Sequence, residues 1–319
     1  MYYNRVIWLL IMVLFPVLLH ADVRLAGIPS LLAGGEEQIR MAPQWSPDGR
    51  LIAYTSAHYR GIWVIDVNSS AIQQISDEDG AGFGFVWSSD SRAILARVAK
   101  FEDRRRLNAI KIFDLEAGTE EQICDYTTRF LSLPRFESRG TKVVYFDKND
   151  LQIAHSQRKA ADLQKPLPIY PVPLLHFDRL VLWHPEDDRL EPLALPVGDQ
   201  FLNPALSPNG RLLAYEVYGG NLCVYDLQEE TCIDLGVGYQ PAWSPDSRYL
   251  VYTLALDDGH EYTSADLYIV SIDGKERLQI TDTPDRLEMN AAWSPDGSTI
   301  VCDDIDRGEL MLIPVKVTD

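Results

Sequence analysis

Gln44 to Tyr54 reads QWSPDGRLIAY, and close copies of this segment recur along the chain. They stand at Trp243 to Tyr252 (WSPDSRYLVY), Trp293 to Cys302 (WSPDGSTIVC), Leu206 to Tyr215 (LSPNGRLLAY), Trp87 to Ala96 (WSSDSRAILA) and, most divergent, Phe136 to Tyr145 (FESRGTKVVY). A sequence built this way stacks similar small units, none of which buries its apolar face alone.

The repeated segment specifies a β-hairpin. Ser46 precedes a proline and is held extended, so it ends a strand. Pro47, Asp48 and Gly49 suit successive places of a tight turn, with Gly49 free to take positive φ. Leu51 to Tyr54 is an apolar run too short for a helix, and Ile62 to Asp66 and Ile72 to Ile75 supply two more strands. Each unit therefore has four strands. The residues that open the hairpins, 45, 87, 136, 206, 243 and 293, lie 42, 49, 70, 37 and 50 residues apart. A four-stranded propeller blade takes about 40 to 50 residues, which the third interval exceeds.

The chain is thus expected to be an all-β, six-bladed β-propeller of antiparallel blades with an insertion at about 148–178; seven blades is the alternative. Leu180 to His184 and Glu191 to Ala194 resemble the outer two strands of a unit, but Pro171 to Asp178 has room for only one strand more. Asp150 to Lys165, rich in helix formers behind an aspartate, is expected to hold a short helix. The last unit, Ala291 to Val315, shows three strands, and a ring of sheets does not leave an edge unpaired. Gln73 and Gln279 each stand 14 residues before the next opening tryptophan, and the same count back from Trp45 reaches Leu31. Pro29 to Ala33 is therefore the expected closing strand, carried on an N-terminal arm of residues 22–41 ahead of a propeller over 42–319.

Residues 1–21 carry one positive charge at Arg5, an apolar run from Val6 to Leu19, and Ala21 before Asp22. This pattern predicts a secretory signal peptide and a periplasmic or secreted protein with no membrane span after cleavage. The 29 basic and 47 acidic side chains give a net charge of −18, which disfavours nucleic acid and anionic membrane surfaces. Cys124, Cys223, Cys232 and Cys302 form no CxxC pair. Cys223 and Cys232 fall on the two strands of one hairpin, where they could bridge or simply be buried as small apolar residues.

The hairpin WSPDG, the aliphatic run after it and the following strand of the type WVID or VYDL resemble the WD40-like repeats of the TolB propeller family. The resemblance covers about Ala42 to Val315 apart from the insertion, and it implies a periplasmic or secreted interaction module. The 40 residues ahead of the repeats are too few for the additional N-terminal domain of TolB, so a stand-alone propeller is expected. Related propellers also occur beside serine peptidases and as carbohydrate-active lyases, and fold alone does not decide among these.

Signals for catalysis are weak. The chain has no GxSxG, HExxH or GxxxxGK[ST], and no histidine within four residues of another among His58, His155, His176, His184 and His260. Neither Asp257-Asp258 nor Asp303-Asp304 with Asp306 has the spacing of a calcium loop, and both read as hairpin turns. No cofactor and no metal is expected. In a propeller, the turns after the first and third strands open on one face, and those after the second and fourth on the other. Here the first set is stereotyped and the second varies. The varied set carries the candidate contact residues His58, Tyr59, Arg60, Phe101, Arg104, Arg105, Arg106, His260, Tyr262 and Arg286, in types that dominate interface energetics. The reading is a non-enzymatic scaffold for a protein or peptide partner in the cell envelope; the alternative is a lyase or hydrolase acting from the central channel.

Overall fold

A computed structural model of the chain describes residues 23–35, 38–158, 167–196 and 198–318. The expected signal peptide lies outside the described residues. Leu51–Thr55, the second strand of the first repeat, is buried along its whole length. Side chains alternate along a strand, so Ile52 and Tyr54 face one side and Ala53 the other, and the sheet needs an apolar neighbour on both.

Among the described residues, seven sheets meet that need. Blade 1 runs Met41–Trp45, Leu51–Thr55, Ile62–Asp66 and Ile72–Ser76, hydrogen-bonded in chain order. Blade 2 has Val86–Trp87, Ala93–Glu102, Arg105–Asp114 and Thr119–Thr127. Blade 3 has Arg135–Phe136, Lys142–Asp147 and Asp150–His155, and blade 4 has Val172–His176, Arg179–His184 and Arg189–Pro192. Blade 5 comprises Phe201–Leu206, Leu212–Val217, Asn221–Asp226 and Thr231–Val237. Blade 6 comprises Tyr239–Trp243, Tyr249–Asp257, Tyr262–Ser271 and Arg277–Gln279. Blade 7 has Glu288–Trp293, Thr299–Asp304 and Glu309–Val317.

The expected N-terminal strand closes blade 7. Ser30–Ala33 pairs with the last strand, with Ser30 opposite Leu312, and Val23–Leu25 extends the seam with Val23 opposite Val317. The core is seven clusters, each shared by two successive blades. Blades 7 and 1 meet through Ile52, Tyr54, Val301 and Leu310, and blades 3 and 4 through Val144, Phe146, Leu174 and Trp183. Two of the opening tryptophans bond to the preceding blade: Trp87 Nε1 donates to the Gln44 carbonyl at 3.3 Å and Trp243 Nε1 to the Ala205 carbonyl at 2.8 Å.

Seven blades replace the six expected. The long third interval holds a further unit rather than an insertion, and among the described residues this blade 4 begins at the strand that is second in other blades. Its tight turn between His176 and Arg179 matches the turn between second and third strands elsewhere. Asp150–His155 is likewise a strand, paired along its length with Lys142–Asp147, where a helix was expected; 159–166 lie outside the described residues. Cross-strand pairing and the seam with blade 4, which takes up Leu151 and Ile153, override the local helix preference. Cys223 and Cys232 are free, and the Tyr215 hydroxyl lies 3.3 Å from the Cys232 sulfur.

Candidate functional site

The two faces of the ring are built differently. On one, the repeated Ser-x-Asp turn closes on itself: Ser46 Oγ donates to Asp48 Oδ1 at 2.6 Å and accepts from the Leu51 amide at 2.9 Å. Ser88, Ser207, Ser244 and Ser294 repeat the arrangement with Asp90, Asn209, Asp246 and Asp296. Turns also bond to their neighbours, the Asp48 amide to Ser91 Oγ and the Asn209 amide to Ser247 Oγ. The opposite face carries the loops after second and fourth strands. Phe83, Phe101, Phe130, Phe177, Tyr218 and Leu256 stand exposed there, whereas among the described residues no large exposed apolar side chain falls in the Ser-x-Asp turns.

The candidate contact residues all lie on this second face, but not as one patch. Between the second and third strands of blade 1, Ala57–Tyr59 forms a single 3-10 turn with His58 and Tyr59 both at positive φ, 60° and 56°. The Tyr59 ring meets Phe83 edge-on at 4.9 Å. Burial raises its hydroxyl pKa, and nearby Asp303 and Tyr262 push the same way, so blades 1, 6 and 7 converge at this point. Arg60 lies 3.7 Å from Asp79 in an exposed pair of small energetic weight.

Phe101 and the three arginines form the tip of an extended hairpin in blade 2, with Asp103 and Arg104 at φ 48° and 63° in a two-residue turn. Lys100 is paired with Glu102 at 2.7 Å and lies 4.3 Å over the Tyr126 ring, so it adds no free charge to the tip. Among the described residues no carboxylate pairs with Arg104, Arg105 or Arg106. His260 and Tyr262 sit at the tip of the matching hairpin of blade 6, where Asp258 Oδ1 accepts from the amides of His260 and Glu261 at 2.9 Å. Those bonds are turn closure, as are the bonds from the Asp306 and Arg307 amides to Asp304 Oδ1. Arg286 is held inside: its Nη1 reaches buried Asp304 at 3.2 Å and Glu309 at 3.0 Å, fixing the loop from blade 6 to blade 7.

The residue ten places after each opener lies at the same end of its blade as these loops. It is Thr55, Arg97, Phe146, Glu216, Thr253 and Asp303 in turn. Asp303, expected in a hairpin turn, is instead fully buried within the strand Thr299–Asp304. Aligning the repeats would have drawn attention to the three charged members. Asp303 Oδ2 accepts from the Ala42 amide of blade 1 at 2.7 Å and from Asn290 Nδ2 at 2.8 Å, and burial pushes its pKa up to about 7. Glu216 accepts from Asn203 Nδ2 at 2.8 Å and from the Gln240 amide of blade 6, and burial raises its pKa as well. Ala42, Asn203, Gln240 and Asn290 all have positive φ, between 46° and 55°, at the register shift of an innermost strand. That bulge turns backbone amides toward acceptors of neighbouring strands. Among the described residues no three His, Cys, Asp or Glu side chains come together to hold an ion.

No known protein-family profile matches the chain. Over 112 residues it is 31% identical to a protein of Bacillus subtilis named uncharacterized peptidase YuxL, a match covering 31% of this chain and 16% of that protein. Over 84 residues it is 30% identical to a protein of Aspergillus clavatus named probable dipeptidyl-peptidase 5, covering 26% and 12%. The matches thus span less than a fifth of either relative. Among solved structures, TolB from Acinetobacter baumannii is similar with a TM-score of 0.48 at 16% identity, over 87% of this chain and 54% of that one.

Proposed function

We propose that this protein is an exported, non-enzymatic β-propeller scaffold that holds a protein or peptide partner of the cell envelope on the face opposite the Ser-x-Asp turns. One observation carries the reading: exposed aromatic side chains, and arginines that have no carboxylate partner among the described residues, lie on that face, on loops supported by a rigid ring. Arg104, Arg105 and Arg106 oppose the overall charge of −18 and would orient an acidic partner toward the hairpin tip. The test is capture from envelope extract on the immobilised full chain, followed by association rates with the captured partner at two salt concentrations. Replacing the three arginines by glutamate is expected to slow association about tenfold or more and weaken its salt dependence, with stability unchanged within about 0.5 kcal/mol. Faster association of Asp48→Lys with Asp246→Lys on the other face, by the same factor per unit charge, would reduce the effect to net charge and overturn the assignment.

A second reading, that the propeller belongs to a peptidase system, draws on the partial identity with two peptidase-named proteins. Release of product from unlabelled peptides by the purified chain alone would favour it over the scaffold.

A further inference from the structure

A cavity of about 220 Å³ opens on the same face between blades 2 and 5. Arg97 and Arg135 are among its walls, with Phe83, Phe130, Phe177 and Leu175. Among the described residues no strand stands inside Val172–His176 in blade 4, so that strand itself lines the space. Phe130 and Phe177 stack at 6.2 Å and are each more than half exposed, which puts them at the mouth.

The two arginines are unlike three other sheltered cations of the molecule. Lys111 has Glu78 and Glu120 at 3.1 and 3.0 Å, Arg158 has Asp90 and Asp114, and Arg286 has Asp304 and Glu309. Arg97 Nη1 instead donates to the Leu131 carbonyl at 2.5 Å and Arg135 Nη1 to the Pro134 carbonyl at 3.0 Å. No carboxylate among the described residues pairs with either, in a chain that carries 47 acidic side chains. Arg97 also lies 5.9 Å over the Phe83 ring. Burial lowers the pKa of both, that of Arg135 to about 10, so both keep their charge at neutral pH. A guanidinium has five N–H donors, so most of theirs are left for something in the cavity.

We propose that this cavity is a subsite for the C-terminal carboxylate of a polypeptide that ends in an apolar residue, with Arg97 and Arg135 receiving the carboxylate and the phenylalanines the last side chain. The proposal rests on the reading of this face as a partner-binding surface and names what the partner presents. Planar guanidinium forks match a carboxylate. A chain terminus bears its carboxylate on the carbon that also bears the side chain, so one residue meets both the arginines and the apolar wall. An aspartate or glutamate side chain offers nothing to that wall. A free amino acid brings an ammonium group, and no acid lines the cavity to receive it. The volume is below the roughly 300–1,000 Å³ of pockets that enclose a whole small ligand, as suits the end of a longer one.

The experiment titrates the full chain with the hexapeptide Ala-Gly-Ser-Ala-Leu-Phe as free acid and as C-terminal amide, followed by calorimetry. The acid is expected to bind at least about tenfold more tightly than the amide, and free phenylalanine and inorganic phosphate not to compete. Arg97→Gln and Arg135→Gln are each expected to remove that preference, and Arg135→Lys to restore it only in part, with the β-sheet circular dichroism signal unchanged. Equal binding of acid and amide by the unaltered protein would overturn the proposal without recourse to any variant. Equally tight binding of 3-phenylpropionate would make the cavity a small-acid site, and saturable phosphate binding an oxyanion site; either overturns it too. A partner captured from extract that binds the Gln variants as it binds the unaltered chain would sink the subsite while leaving the partner-binding face intact.

Discussion

Two sets of ionisable side chains, one buried and one half-buried, lie toward the loop face of this propeller, and they differ in what they touch. Across blades 5 to 7, Glu216, Glu288 and Asp303 accept hydrogen bonds from groups of this chain: the Gln240 amide and Asn203, Thr283, and the Ala42 amide with Asn290. Across blades 2 and 3, Arg97 and Arg135 each have one backbone carbonyl and an open cavity. Glu216 and Asp303, whose partners include an amide of the next blade, are staples between blades. A buried charge without such partners is costly unless a ligand supplies them, which marks its place as one of recognition.

The strongest way to calibrate the staples is the seam between blades 5 and 6, which Trp243 fills and Glu216 crosses. Trp243→Ala is expected to destabilise by about 3 to 5 kcal/mol in denaturant unfolding; a loss under about 1 kcal/mol would mean that the tryptophans do not join blades. On the carboxylate side, Asp303→Ala leaves the Ala42 amide and the Asn290 side chain without an acceptor. Unfolding near pH 6 should then show a loss of about 2 to 3 kcal/mol, and a neutral result would erase the contrast between the two sides.

The same residue gives the comparison a pH axis. The pKa of Asp303 in the fold, about 7, lies above its ordinary value of 3.8, so the native state keeps a proton that the unfolded chain has lost. Its contribution to stability is complete below about pH 4 and is lost as pH rises through 7, a fall of at most a few kcal/mol; Glu216 and Glu288, whose pKa values burial also raises, act with the same sign. Asp303→Asn should flatten this slope, and an unchanged slope would assign it to other groups. The smallest expected effect is on the other side. Arg135→Met removes a half-buried cation that no carboxylate among the described residues pairs, while keeping much of its volume, so stability should change by less than about 1 kcal/mol. A loss as large as that of Asp303→Ala would make Arg135 a staple as well.

Much of the architecture was legible because it rests on short-range chemistry. The Ser-Pro-Asp-Gly turn and the alternation that sends Ile52 and Ala53 to opposite seams follow from periodicity and turn geometry within a few residues, and the closing strand near Leu31 from the spacing of the repeats. The loop face was legible in outline, since variable turns stand out against stereotyped ones. Arg286 was picked out as a surface residue because nothing near it in the chain announces Asp304 and Glu309, which lie 18 and 23 positions away.

What the sequence by itself determined was therefore the repeated unit: its hairpin, its apolar faces and its need for a neighbour on each side. Only the tertiary structure decided how many units close the ring, because blade 4, with three strands among the described residues, takes its place once the seams on either side are filled. It also decided the roles of the charges ten places after the openers. Arg97, Glu216 and Asp303 occupy equivalent positions, and what separates a staple from an open donor is the neighbouring blade that each one meets, a contact made across the ring's seams and not along the chain.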